Sequence, residues 1–215
     1  MPNHVTNRLT IFGSDEEINK VKNFIKSEQI KEDEKIRRLQ TIDFNKITPM
    51  PPWVFDGNLG REEEEKYGRE NCWYGWSIIN CGTKWNAYGQ PDDRSSENIL
   101  FFQTAWDSPT DLIRKLSWIF PNMEFEIAWA DENVGYNTGI LRYRDGETIF
   151  LYIPIEGSIE AKKLFFNITQ ESLEDYNMDE NYRYIDEEIE ITTSQFISLI
   201  EFYEPKKMKS LIEFY

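Results

Sequence analysis

The sequence contains very little histidine and cysteine. His4 is the single histidine of the 215 residues, and Cys72 and Cys81 are the only cysteines. Most zinc sites and most nucleophilic dyads need several such side chains, so their scarcity excludes the common arrangements. We therefore expect no metal and no cofactor, and we expect both cysteines to be reduced thiols in the core.

Basic residues and long apolar runs are also scarce. Lys and Arg number 24 against 39 Asp and Glu, which gives a formal net charge of −15. Phosphate neutralisation needs clustered Lys and Arg, so direct nucleic-acid binding is not expected. No run approaches the roughly 18 apolar residues of a membrane span, and the first residues do not resemble a signal peptide. These absences predict a cytoplasmic protein without membrane contact.

The residues that are present suffice for a folded core, since 40% of the chain is hydrophobic and 15% is aromatic. Residues 5–11 alternate as in a strand, and Ser14-Asp15-Glu16-Glu17 predicts a capping box at a helix start. The charged residues 27–41 are expected to extend that helix or to form a solvated connection. Prolines at 49, 51 and 52 predict an extended segment after it.

The pattern of residues 85–147 predicts more strands than helices. Strands are expected over residues 85–88, 99–105 and 124–129, and a helix is expected to start with Ser108 as its cap. Asp145-Gly146 predicts a type I′ hairpin with Arg144 opposite Glu147. The pattern favours an α+β fold, in which a mixed or antiparallel sheet carries helices on one face.

Acidic residues concentrate near the C-terminal end. Residues 1–120 hold 19 acids and 16 bases, whereas residues 121–215 hold 20 and 8, so the second part carries −12 of the net charge. We predict an α+β domain over residues 1–155 and an acidic extension with short helices over residues 156–215. The partner-binding candidates are the nine acids of its central stretch, Glu171, Glu174, Asp175, Asp179, Glu180, Asp186, Glu187, Glu188 and Glu190. A repeat, Ser198 to Tyr203 and Ser210 to Tyr215, follows without an assigned role.

Four separated motifs carry a family resemblance that spans about the first 145 residues. They are residues 1–13, residues 43–51 (DFNKITPMP), residues 80–88 (NCGTKWNAY) and residues 102–109 (FQTAWDSP). With these motifs the sequence resembles the Api92-like family, also called the YubB type. The resemblance implies a ferredoxin-like α+β domain encoded by a phage, plasmid or other mobile element, and hence a setting in a bacterial host cytosol. It implies no particular reaction.

Two functional hypotheses follow. The first is a non-enzymatic interaction protein of a phage or mobile element. Its acidic, nucleic-acid-mimicking surface would bind or inhibit a host or defence protein that has a basic surface. The alternative is a small anionic-ligand or nucleotide-binding domain, open to an enzymatic role, that uses a cluster of Lys84, Asn86, Trp106 and Glu132. Within that cluster, Lys84 is expected to form a structural ion pair with a carboxylate, and the alternative is that it contacts an anionic ligand.

Overall fold

The computed structural model describes residues 2–31 and 36–185. The elements in chain order are β1 (His4–Phe12), α1 (Asp15–Ile25), β2 (Ser27–Lys31), β3 (Ile36–Gln40), α2 (Phe44–Ile47), α3 (Arg61–Tyr67), α4 (Trp73–Cys81), β4 (Ile99–Ala105), α5 (Thr110–Ile119), β5 (Glu124–Asp131), β6 (Thr138–Arg144), β7 (Glu147–Tyr152) and α6 (Ile159–Thr169). Short 3₁₀ turns lie at Arg69–Asn71 and Glu174–Tyr176.

A five-stranded sheet forms the centre of the molecule, and its strands run in the order β4-β1-β5-β6-β7. Every neighbouring pair is antiparallel, and Asn7 of β1 lies between Phe102 of β4 and Trp129 of β5. The predicted α+β class with an antiparallel sheet is thus confirmed. The expectation for residues 27–41 is wrong, because β2 and β3 pair there as a separate antiparallel hairpin.

The sheet has a hydrophobic core on each face, because neighbouring residues of a strand point to opposite faces. Phe125 and Ile127 of β5 pack in the first core, with buried residues of α1, α2, α4 and α5. Ala128 and Ala130 pack in the second core, with Leu164, Phe165, Phe166 and Ile168 of α6. The helices were expected on one face only. The structure differs, since α6 covers part of the other face.

Two local sequence signals form as predicted. Ser14 Oγ accepts the backbone N–H of Glu17, and the Glu17 carboxylate accepts the backbone N–H of Ser14, which completes the capping box. Asp145 and Gly146 have φ values of 49° and 75°, and Arg144 pairs with Glu147 across their turn. At α5 the cap residue is Pro109 rather than Ser108. The Ser108 hydroxyl is buried there without a hydrogen-bond partner among the described residues.

Part of the acidic extension lies outside the described residues. This applies to Asp186, Glu187, Glu188 and Glu190 and to both copies of the repeat at 198–203 and 210–215. The division of the chain at residue 155 stays a prediction. Within residues 2–31 and 36–185, no helix is long and apolar enough to span a bilayer.

Candidate functional site

A cavity of about 550 Å³ opens beside α4 on the first face of the sheet. Four aromatic side chains, those of Phe44, Trp73, Trp76 and Trp85, line it together with the carboxylate of Asp56. We call this cavity the aromatic pocket. Its volume lies within the range of small-molecule sites, and its mixture of rings and a few polar groups is typical of them.

The extended segment after α2 forms one wall of the aromatic pocket. Met50, Pro51 and Pro52 line the pocket, and the prolines keep this segment from continuing as a helix. The segment is then tied to the start of α4, because Phe55 N–H donates to the Asn71 carbonyl at 2.8 Å and Trp73 N–H donates to the Phe55 carbonyl at 2.9 Å. These bonds hold the wall opposite the indoles of α4.

Asn86 joins the two loops that border the pocket. Its Oδ1 accepts the backbone N–H groups of Phe44 and Ala87, both at 2.9 Å, and its Nδ2 donates to Asp43 Oδ1 at 2.7 Å. These bonds explain why the strand predicted over residues 85–88 is wrong. The segment bends around the Asn86 side chain, and only Tyr88 makes an isolated bridge to β4, at Gln103. Asn86 lines the pocket, but its amide is committed to the protein's own backbone and to Asp43.

Lys84 lies among aromatic rings rather than beside an acid. Its Nζ is 4.7 Å from the Trp85 ring centroid, 5.0 Å from that of Trp106 and 5.7 Å from that of Tyr74. No carboxylate of the described residues lies within ion-pair distance of it. The expected ion pair is therefore replaced, in this part of the chain, by cation–π contacts.

Trp106 and Glu132 complete the predicted ligand cluster, but only Trp106 contacts Lys84. Trp106 follows the end of β4 with a φ of 75°, and its carbonyl accepts from Asn137 Nδ2 at 3.2 Å. Glu132 lines a second cavity, of about 280 Å³, which none of the other three residues lines. The four residues therefore form no single pocket. Lys84 and Trp106 are together, Asn86 belongs to the aromatic pocket, and Glu132 is in the second cavity.

The second cavity has acidic walls and lies against α6. Glu132 and Glu171 line it together with Asp131, and His4 contributes an imidazole. The His4 Nδ1 atom is 2.5 Å from the Tyr88 hydroxyl, so this imidazole is already hydrogen-bonded within the protein. Among the described residues, no group of three or more His, Cys, Asp or Glu side chains is arranged to hold a metal ion.

The acidic stretch after α6 is anchored by apolar side chains. Leu173, Tyr176, Met178 and Tyr182 pack against the second core. The Tyr176 hydroxyl donates to Glu171, and the pKa of Tyr176 is raised by its burial and by the neighbouring carboxylates of Glu171 and Asp175. This part of the predicted partner-binding set therefore has a defined conformation.

The five described acids of this stretch have different surroundings. Asp179 Oδ1 accepts the backbone N–H groups of Arg183 and Asn181, which lower its pKa. Asp175 accepts from the Ser172 hydroxyl at 2.7 Å. Glu174 and Glu180 are exposed, and their carboxylates make no hydrogen bond within the described part of the chain. Glu174 and Glu180 are the acids most available to a partner.

Comparison with known proteins bears on this architecture. Residues 84–186 match the family model described as the ferredoxin-like domain in Api92-like protein. The chain carries the Api92-like ferredoxin-like domain. The resemblance based on sequence motifs is confirmed, and the Api92-like domain includes β4 to β7, α5 and α6 but not β1. No curated protein and no solved structure matches the chain.

Sequence reasoning missed the aromatic pocket as a site, although it singled out two segments that border it. Phe44 comes from the motif at residues 43–51 and Trp85 from the motif at residues 80–88, the latter overlapping the start of the Api92-like domain. Asp56, Trp73 and Trp76 lie outside both motifs. The signal that could have identified the pocket is the aromatic spacing of Trp73 and Trp76, which places both rings on one side of α4.

Proposed function

We propose that this protein is a non-enzymatic interaction module that binds a basic surface of a partner protein. The binding surface is formed by Glu132, Glu171, Glu174, Asp175 and Glu180, and we call it the acidic surface. The observation that carries the proposal is the anchoring of this acidic stretch on the second core through Leu173, Tyr176, Met178 and Tyr182. Carboxylates held on a packed segment lose less conformational entropy on binding than those of a disordered tail.

The charge balance around the acidic surface supports a basic partner. Between residues 171 and 185 five acids stand against Arg183, and Lys162 and Lys163 of α6 contact this stretch at the rings of Tyr184 and Tyr182. The remaining excess of acids accelerates encounter with an oppositely charged surface and disfavours acidic competitors. The resemblance to proteins of phages and mobile elements supports a host or defence protein as the partner, with the acidic surface replacing a nucleic acid.

One observation favours the second candidate function, an anionic-ligand site. The Lys84 ammonium group lacks a carboxylate partner among the described residues, and the exposed rings of Trp85 and Trp106 flank it. Asn86 and Glu132 do not support this candidate, since the first is engaged with Asp43 and the second lines another cavity. The acidic surface is therefore our leading proposal.

The test of the proposal is a matched pair of charge-neutralised variants. The surface variant combines Glu132→Gln, Glu174→Gln and Glu180→Gln, none of which removes a hydrogen bond of the described side chains. The control variant combines Glu62→Gln, Glu64→Gln and Glu70→Gln on and beside α3, with the same change in net charge. A fluorescently labelled oligolysine peptide stands in for the basic partner, and its anisotropy reports binding.

We expect the surface variant to bind the peptide about tenfold more weakly than wild type, since each exposed charge pair contributes roughly 0.2–1 kcal/mol. The control variant should stay within about twofold of wild type, and the salt dependence of wild-type binding should be steeper than that of the surface variant. An equal loss in both variants would show that only net charge matters and would refute a defined acidic surface.

A further inference from the structure

We propose that the aromatic pocket binds an organic cation of the quaternary-ammonium type. This inference goes beyond the interaction proposed above, because the pocket and the acidic surface lie on opposite faces of the sheet. Phe44 and Trp76 of the pocket belong to the first core, whereas Tyr176 and Met178 pack against the second.

The aromatic lining supplies the first argument. The faces of Trp, Tyr and Phe rings carry partial negative charge, and several rings around one cavity attract a weakly hydrated cation. The Trp85 ring of this pocket already makes a cation–π contact, because the Lys84 ammonium group lies 4.7 Å from its centroid. Trp73 and Trp76 add two further indoles from consecutive turns of α4.

The charge of the lining supplies the second argument. Asp56 is the single charged residue among the described residues that line the pocket, and no Lys, Arg or His lines it. The Cys81 thiol stays neutral at physiological pH, because burial raises its pKa to about 11. The lining therefore offers a cation one carboxylate and several ring faces. An anion would be repelled by Asp56 and would have no cationic side chain in the lining to bind.

The size of the pocket supplies the third argument. A volume of about 550 Å³ exceeds what a single ammonium headgroup fills, so the site has space for a headgroup with a short polar tail. Asn45 and Ser77 lie in the same lining and can bond to such a tail. Ser77 is only 6% exposed, and its hydroxyl donates no hydrogen bond to another described residue. Choline has these features and is a suitable probe.

The experiment compares choline with dimethylbutanol, the uncharged molecule in which carbon replaces the nitrogen of choline. Both are titrated into the full chain at constant ionic strength, and tryptophan fluorescence reports binding. We expect choline to bind at least about tenfold more tightly than its uncharged isostere, because cation–π attraction needs the charge. Equal binding of the two, or no binding of choline, would overturn the proposal.

Charge-neutralising variants of Asp56 and Lys84 test the electrostatic basis of choline binding. Asp56→Asn should weaken choline binding about fivefold, and Lys84→Met should leave it unchanged or strengthen it, because the variant removes a nearby positive charge. The control is Trp53→Leu, which removes an indole that is 66% exposed and does not line the pocket, and it should bind choline as wild type does. The opposite pattern, tighter choline binding in Asp56→Asn and weaker choline binding in Lys84→Met, would show that the lining does not attract a cation and would refute the inference. Oligolysine binding at the acidic surface should be unchanged in these variants, so the two proposals can fail separately.

Discussion

Replacing Gly146 by alanine should destabilise the protein through two separate effects. Gly146 has a φ of 75° in the β6–β7 turn, a backbone conformation that residues with a Cβ atom rarely adopt. A Cβ built on Gly146 would also lie 1.4 Å from Nε1 and 2.1 Å from Cδ1 of Trp118. Alanine can be accommodated only if the Trp118 indole moves away from the turn.

The two effects can be estimated separately. The left-handed conformation costs an alanine about 1–2 kcal/mol. Trp118 is 53% exposed, so about half of its surface is buried in wild type. Exposing roughly 100 Å² of indole costs about 2.5 kcal/mol at 25 cal/mol per Å². We therefore expect Gly146→Ala to lower the free energy of unfolding by about 3.5–4.5 kcal/mol.

Gly82→Ala is the matched control for the backbone effect. Gly82 ends α4 with a φ of 78°, but the nearest atom to its added Cβ is the Ser108 carbonyl oxygen at 3.7 Å. This variant should lose only the 1–2 kcal/mol of the conformational effect. Equilibrium unfolding in urea gives the free energy of unfolding of both variants. The same measurement is made for Gly146→Ala in a Trp118→Ala background, where only the backbone cost should remain. If Gly146→Ala is no worse than Gly82→Ala, the steric reasoning is refuted.

Three further predictions concern the charged and thiol side chains. Lys84→Met should cost about 1 kcal/mol in a urea melt, as expected for cation–π contacts, and a loss of about 3–5 kcal/mol would instead indicate a broken buried ion pair. Cys72 and Cys81 should resist alkylation at pH 8 until the protein is unfolded, because both are buried and burial raises the pKa of each; rapid labelling of native protein, followed by mass spectrometry, would contradict this. Arg94 donates to both carboxylate oxygens of Asp92, at 2.9 and 2.6 Å, and lowers its pKa. The stability from that pair is present above the unfolded pKa of about 3.9 and is lost as the pH falls through the folded value, so the difference in melting temperature between wild type and Arg94→Met should shrink below about pH 4, and a constant difference would contradict the pairing.

Features that depend on neighbouring residues could be predicted from the sequence. The capping box at Ser14 and the Asp145-Gly146 hairpin each involve contacts within four residues, so their signals are complete in a short window. The alternation of β1 likewise predicted a strand whose apolar residues are buried. These elements, taken together, sufficed for the α+β class.

Features that depend on distant residues could not be predicted. The segment at residues 85–88 alternates like a strand, but Asn86 is held by Asp43 and the backbone of Phe44, about forty residues earlier. The position of α6 on the second face depends on its packing against Ala128 and Ala130, which no local pattern reveals. The same limitation applies to the candidate site, because Asp56 and Trp85 become neighbours in one pocket only through the tertiary fold.

The central position of β1 has a consequence for how the chain folds during synthesis. β1 is translated before both of its neighbours in the sheet, Ile99–Ala105 and Glu124–Asp131. At about 5–20 residues per second, the ribosome needs roughly 6–25 s to add the some 120 residues that separate β1 from its second partner. Until β4 has been synthesised, Val5, Leu9 and Ile11, which are fully buried in the finished protein, have no strand of the sheet to pair with, and the other edge of β1 stays unpaired until β5 follows. The nascent chain therefore exposes apolar residues of β1 to chaperones and to other chains until both neighbours emerge, and pairings of such long sequence separation also slow refolding of the complete chain.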